Sequence, residues 1–143
     1  MACRRIDHLD LRVRDLGVAD AFYARFLPEV GFPIRRDEPG HALQFEARSD
    51  HPRPEFVALI EDPAHTPNAS RIAFWAESRA EVDRLGAILE QAGAKNLEGP
   101  MACPEYSPDY YAVFFEDPSG NRLEVCCRAD DHRGANWIED PPT

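Results

Sequence analysis

The sequence predicts an α+β fold: two tandem βαβββ modules forming a curved eight-stranded mixed sheet, a cup with helices on its outside. Two observations carry this. A strand, an amphipathic helix closed by glycine and then further strands run through residues 4–62, and the same order starts again through residues 70–128. Within the strands the side chains alternate, which gives each sheet one face for the helices and a second face left open as the cup. At 143 residues the chain fits one domain, long enough to bury a sizeable core. Residues 129–143 form a polar tail in which Trp137 and Ile138 are placed to dock.

The first strand is RIDHLDLRV, residues 5–13, with Leu9, Leu11 and Val13 on one face and His8, Asp10 and Arg12 on the other. Asp15 is placed to cap the helix that follows, where Val18, Phe22, Phe26 and Val30 recur every four residues until Pro28 and Gly31 end it. PIRRD and HALQFEAR flank the Pro39–Gly40 turn as a hairpin, and EFVALIE is a fourth strand. After the loop DPAHTPNAS the order repeats. RIAFWAE puts Ile72, Phe74 and Ala76 on one face and Arg71, Ala73 and Trp75 on the other. Ser78 with Glu81 three residues later has the spacing of a capping box, and the helix runs through Val82, Leu85, Ile88 and Leu89 to Gly93. KNLEGP is strand-like and ACPEYSPDY is a loop.

The last elements, YYAVFF and RLEVCC, flank the turn EDPSGN, in which Pro118 presets φ and Gly120 supplies the reversal. Leu123 and Val125 share one face of the second arm, whereas Arg122, Glu124 and Cys126 share the other. With the first face on the helices, Glu124 stands at mid-strand on the open face. A carboxylate there is costly to bury unless it meets a metal, a cation or a proton donor.

Composition narrows the partners. Sixteen Lys and Arg against 26 Asp and Glu give a formal net charge of -10, which repels nucleic-acid phosphates and anionic lipid surfaces. The expected partner is a small molecule, with no nucleic acid and no membrane, and the expected location is cytoplasmic. No signal peptide or membrane span is visible. Cys3, Cys103, Cys126 and Cys127 have no CxxC or zinc-ligand spacing and read as free thiols.

With IDHLDLRVRDL, AFYARFL before Gly31, RIAFWAESRAEVDRL and above all AVFFEDPSGNRLEV in place, the chain resembles the vicinal oxygen chelate superfamily over residues 4–128. That superfamily includes glyoxalase I, extradiol dioxygenases, fosfomycin-resistance enzymes and bleomycin-binding proteins. The resemblance implies a site in the cup where four side chains from first and last strands hold one divalent metal (Zn, Ni, Fe or Mn). By position His8 matches the first ligand and Glu124 the last. Arg71 stands where metal-binding relatives usually have histidine, and Leu59 falls at the remaining position, with Glu61 on the same strand face. Arginine has no lone pair to donate. The resemblance also leaves two arrangements open, a cup within one chain or one shared by a homodimer.

Several roles stay open. His8 is a ligand or an acid/base group, and Glu124 is a ligand, a general base or the partner of Arg71. Arg71 either clamps a substrate anion or neutralises Glu124. Trp75, Tyr106 and one of Tyr110 and Tyr111 are candidates to line the cup, whereas His41, His51 and His65 read as solvated. The leading reading is a glyoxalase-like small-molecule enzyme of the lyase, isomerase or dioxygenase class. The alternative is a metal-free protein that sequesters a small molecule, as bleomycin-binding relatives do.

Overall fold

The structure is a computed structural model that describes residues 5–40 and 42–128, so the polar tail and His41 lie outside the described residues. In chain order the elements are β1 (His8–Val13), α1 (Leu16–Phe26), β2 (Ile34–Glu38), β3 (Ala42–Glu46), β4 (Phe56–Glu61), β5 (Arg71–Trp75), α2 (Arg79–Gln91), β6 (Lys95–Ala102), β7 (Tyr111–Glu116) and β8 (Arg122–Cys127). The α+β order is strand, helix and three strands, twice. The eight strands hydrogen-bond as two mixed sheets of four, in the orders β1-β4-β3-β2 and β5-β8-β7-β6. In each, the first strand is parallel to the last and the remaining pairs are antiparallel.

Local chemistry explains the element ends. The Asp15 carboxylate accepts a hydrogen bond from the Val18 amide at 2.9 Å, and the Glu61 carboxylate takes the Leu16 amide at 2.9 Å, so two orphan donors of α1 are satisfied. A 3-10 turn, Leu27–Val30, follows α1 and stops at Gly31, whose φ of 108° suits glycine. Ser78 caps α2 through the Glu81 amide at 3.2 Å. The β6 strand runs past KNLEGP to Ala102, with register shifts against β7.

The cores of the two halves are continuous. Leu11, Val13, Leu43, Val57 and Leu59 from the first sheet join Phe74, Val113, Phe115, Leu123 and Val125 from the second, together with buried residues of both helices. Phe26 of α1 meets Phe74 and Phe115 edge-on, each at 5.3 Å between ring centres. α1 also touches α2, and its Phe22 and Phe26 rings reach the apolar face of the second sheet. The other face of each sheet is turned away from this shared core.

The pin between the halves is the turn between β7 and β8. Asp117, with no exposed surface, accepts from the amides of Ser119 (2.8 Å) and Asn121 (2.9 Å), from the Asn121 side chain (2.8 Å) and from the Tyr23 hydroxyl of α1 (2.6 Å). Ser119 Oγ accepts the Arg14 amide at 3.0 Å, and the Asn121 side chain donates to the Arg12 carbonyl at 2.9 Å.

Candidate functional site

On the outer face of the second sheet, the strand register sets Glu124 between Ala73 of β5 and Phe114 of β7. Glu124 is only 5% exposed although it faces away from the core. Its carboxylate accepts a hydrogen bond from the Tyr110 hydroxyl. Burial, followed by that hydrogen bond, pushes the Tyr110 phenol well above its ordinary value, so it stays a proton donor at neutral pH. Tyr106 packs edge-on against Tyr110 at 5.2 Å and is tilted against Phe114 at 6.4 Å. Cys103, Ala112, Phe114 and Cys126 form a small second apolar cluster beneath these rings. The Cys126 thiol is raised by burial first, with the charge of Glu124 adding to it, so it is a neutral filler and not a thiolate.

Arg71 lies on the same face. Its guanidinium sits 4.8 Å from the centre of the Phe114 ring, a cation–π arrangement, and among the described residues it makes no ion pair with Glu124. The group hydrogen-bonded to Glu124 is therefore Tyr110. Trp75, 54% exposed, stands on edge strand β5 opposite Cys126 in the register, and Tyr106 is 59% exposed on the loop before β7. Tyr111 points the other way and donates to Asp83 of α2 at 2.5 Å.

His8 lies elsewhere. It is on the outer face of the first sheet, stacked on Phe56 of β4 with 4.6 Å between ring centres and 1° between planes. Its Nδ1 pairs with Asp7 at 2.7 Å, and Nε2 lies 3.8 Å from Asp10. A cavity of about 820 Å³ opens beside it, lined by Phe56, Gln44, Arg36 and the loop 47–54 among others.

His8 and Glu124 lie on different sheets, whose helix-side faces meet in a common core. One expectation is corrected. Leu59 is not the vacant ligand position: it is fully buried in that core, paired with Leu11 and Leu43. The residue in the register of Glu124 is Ala58, which pairs with Asp10 just as Glu124 pairs with Ala73. Glu61, on the face of Leu59, caps α1.

The donors do not fit a divalent metal. Ala58 and Arg71 occupy two of the four positions, Glu124 is engaged by Tyr110, and no group of three His, Cys, Asp or Glu side chains suited to a metal occurs among the described residues. Sequence reasoning missed Phe114, whose strand face was readable from alternation, and Asp117, whose acceptor role was signalled by the Asp-Pro-Ser-Gly-Asn turn. Cys103, Cys126 and Cys127 are buried thiols that form no disulfide among the described residues. No helix among the described residues is long and apolar enough to cross a membrane.

Paired βαβββ halves with open outer faces define a glyoxalase-type fold. The model of the Glyoxalase/Bleomycin resistance protein/Dioxygenase superfamily matches residues 5–125, and the chain belongs to that superfamily. It is 28% identical over 128 residues to the virulence protein STM3117 of Salmonella typhimurium, covering 87% of this chain and 85% of that one. Its fold is similar to a glyoxalase/bleomycin resistance protein from Albidiferax ferrireducens (TM-score 0.69, 22% identity, 87% and 98% of the two chains). The fosfomycin resistance protein FosX of Listeria monocytogenes is similar at TM-score 0.67 and 16% identity, over 88% of this chain and 94% of that one.

Proposed function

We propose that this chain is a small-molecule enzyme that moves a proton next to a carbonyl, a lyase or isomerase reaction on a compound with adjacent oxygens, with Glu124 as general base. The observation behind it is a carboxylate that is 5% exposed on an outward face, hydrogen-bonded by the Tyr110 phenol and set across the register from Phe114, the ring that Tyr106 and Arg71 contact. Such a group stands on a face open to a ligand, with a proton donor already within hydrogen-bond reach. Glu124 takes the proton from carbon, the electron pair moves to the neighbouring oxygen, and the Tyr110 hydroxyl, released from Glu124, donates to that oxyanion. Arg71 orients a substrate oxygen and Trp75 and Tyr106 cover the rest. No step passes through a metal. Treatment with a chelator is expected to leave the rate unchanged.

The site is completed by a second copy. Each chain turns one half of the cup outward on either side of its core, so pairing the first sheet of one copy with the second sheet of another brings His8 to Glu124. A second reading, sequestration without chemistry, draws support from the exposed rings of Trp75 and Tyr106, which suit stacking on a bound ligand. Deuterium exchange separates the two. α-Hydroxyketones and α-dicarbonyl adducts incubated with protein in D₂O are followed by proton NMR; exchange above the buffer rate that falls on the order of 100-fold in Glu124→Gln supports the enzyme. No exchange, with ligands that raise the melting temperature equally in both proteins, supports sequestration.

A further inference from the structure

We infer that the cavity on the first sheet binds the anionic end of a planar organic molecule, an oxyanion such as a carboxylate or phosphate carried on an unsaturated body. The cavity, about 820 Å³, is large enough for a ligand of that size and is lined by three arginines, Arg36, Arg48 and Arg53, and by His51. Only Asp7 and Glu46 oppose them in the lining, so the wall carries a formal excess of one positive charge (three against two) in a chain whose net charge is -10. A basic cleft in an acidic protein selects the sign of what enters it.

The charges are partly committed. Glu46 of β3 is ion-paired with Arg36, and Asp7 is taken up by His8 Nδ1 at 2.7 Å. Arg48, exposed at the end of β3, makes no ion pair among the described residues and is the cation most available to a ligand. The loop that carries the others is ordered by its own hydrogen bonds: the His51 amide donates to Ser49 Oγ at 3.0 Å, and the Arg53 amide donates to His51 Nδ1 at 2.9 Å. With Nδ1 occupied as an acceptor, neutral His51 carries its proton on Nε2 and remains a donor. Guanidinium forks match carboxylate and phosphate oxygens. The rest of the ligand is set by the apolar lining. Phe56 is held flat by its parallel stack with His8, and Ile34 and the two prolines of the loop add no competing polar group, which suits a planar body.

This cavity is one half of the proposed cup, so the inference shares the small-molecule reading, yet it can be tested without turnover. Benzoate and phenyl phosphate, with benzyl alcohol and benzylamine as neutral and cationic controls, are titrated against the full chain by saturation-transfer NMR and calorimetry. The expected result is saturable binding of both anions, at least fivefold weaker in Arg48→Gln, weakened again by raising NaCl from 50 to 500 mM, and retained in Glu124→Gln. The effect of phosphate against carboxylate tells which oxyanion is preferred. Arg48 is exposed, so its variant is expected to fold, and the control ligands read the charge preference in the unaltered protein. Anions that bind no better than benzyl alcohol or benzylamine, or that lose binding in Glu124→Gln but not in Arg48→Gln, would overturn the proposal. Absence of D₂O exchange with these anions still bound would sink the enzyme reading alone.

Discussion

Glu124 shows what alternation along a strand fixes and what it leaves open. Its face follows from the two-residue period of RLEVCC, and Leu123 and Val125 on the core side leave it no other place. Which group it bonds does not follow, because face sharing alone makes Arg71 as good a partner as Tyr110. Packing decides: Phe114 stands across the register from Glu124 and takes the Arg71 guanidinium over its ring, while Tyr110 reaches the carboxylate. Removing that hydroxyl leaves a buried acceptor unpaired, so Tyr110→Phe is expected to cost about 1–2 kcal/mol in urea unfolding at pH 7. The pH dependence has a definite sign. A phenol whose folded pKa lies above its unfolded value of about 10 adds stability that is complete below pH 10 and is lost as pH rises above it. The fall in stability between pH 8 and pH 11 is therefore expected to be shallower in Tyr110→Phe than in the unaltered protein; equal slopes would mean that burial and the Glu124 hydrogen bond together do not hold the proton on this phenol.

At the scale of elements, caps and turns were legible because their chemistry is local. Asp15, Ser78 and Gly31 act within a few residues of the helices they bound. The buried stripe on α1 differs from the four-residue period of Val18, Phe22, Phe26 and Val30: Val18 is 52% exposed, whereas Ala19 and Tyr23 are buried beside Phe22 and Phe26. A helix touching one sheet needs a narrow stripe, but α1 meets its own sheet, α2 and the rings of the second sheet, so a wider arc is apolar. The same long-range demand explains Asp117. The turn is readable as a reversal, but its carboxylate also takes the Tyr23 hydroxyl from a helix 94 residues away in sequence. Asp117→Ala strands several buried donors at once, and a loss of at least about 3 kcal/mol is expected in equilibrium unfolding, against about 1 kcal/mol for the cap variant Ser78→Ala. Equal losses would mean that the turn is a local feature and not the pin between the halves.

At the scale of the whole molecule, the sequence carries the two halves but not how they meet. Each half must bury the apolar face of its sheet, and the alternation is the same whether the halves close a cup within one chain or turn their open faces outward for another. The rings that choose are Phe26, Phe74 and Phe115: their edge-on contacts join α1 to the far sheet and place the cup faces on opposite sides of one core. A site built from His8 of one copy and Glu124 of another then has a signature that no single-chain site shares. If His8→Ala and Glu124→Gln are each inactive in proton exchange, mixing them after unfolding and refolding yields about half mixed dimers, each with one intact and one doubly altered site. About a quarter of the unaltered activity per site is expected to return, and to vanish on dilution below the dimer's dissociation constant. A mixture as inactive as its components, in dimers shown by light scattering to have exchanged subunits, would place the working cup within one chain and require the two sheets to rearrange around α1.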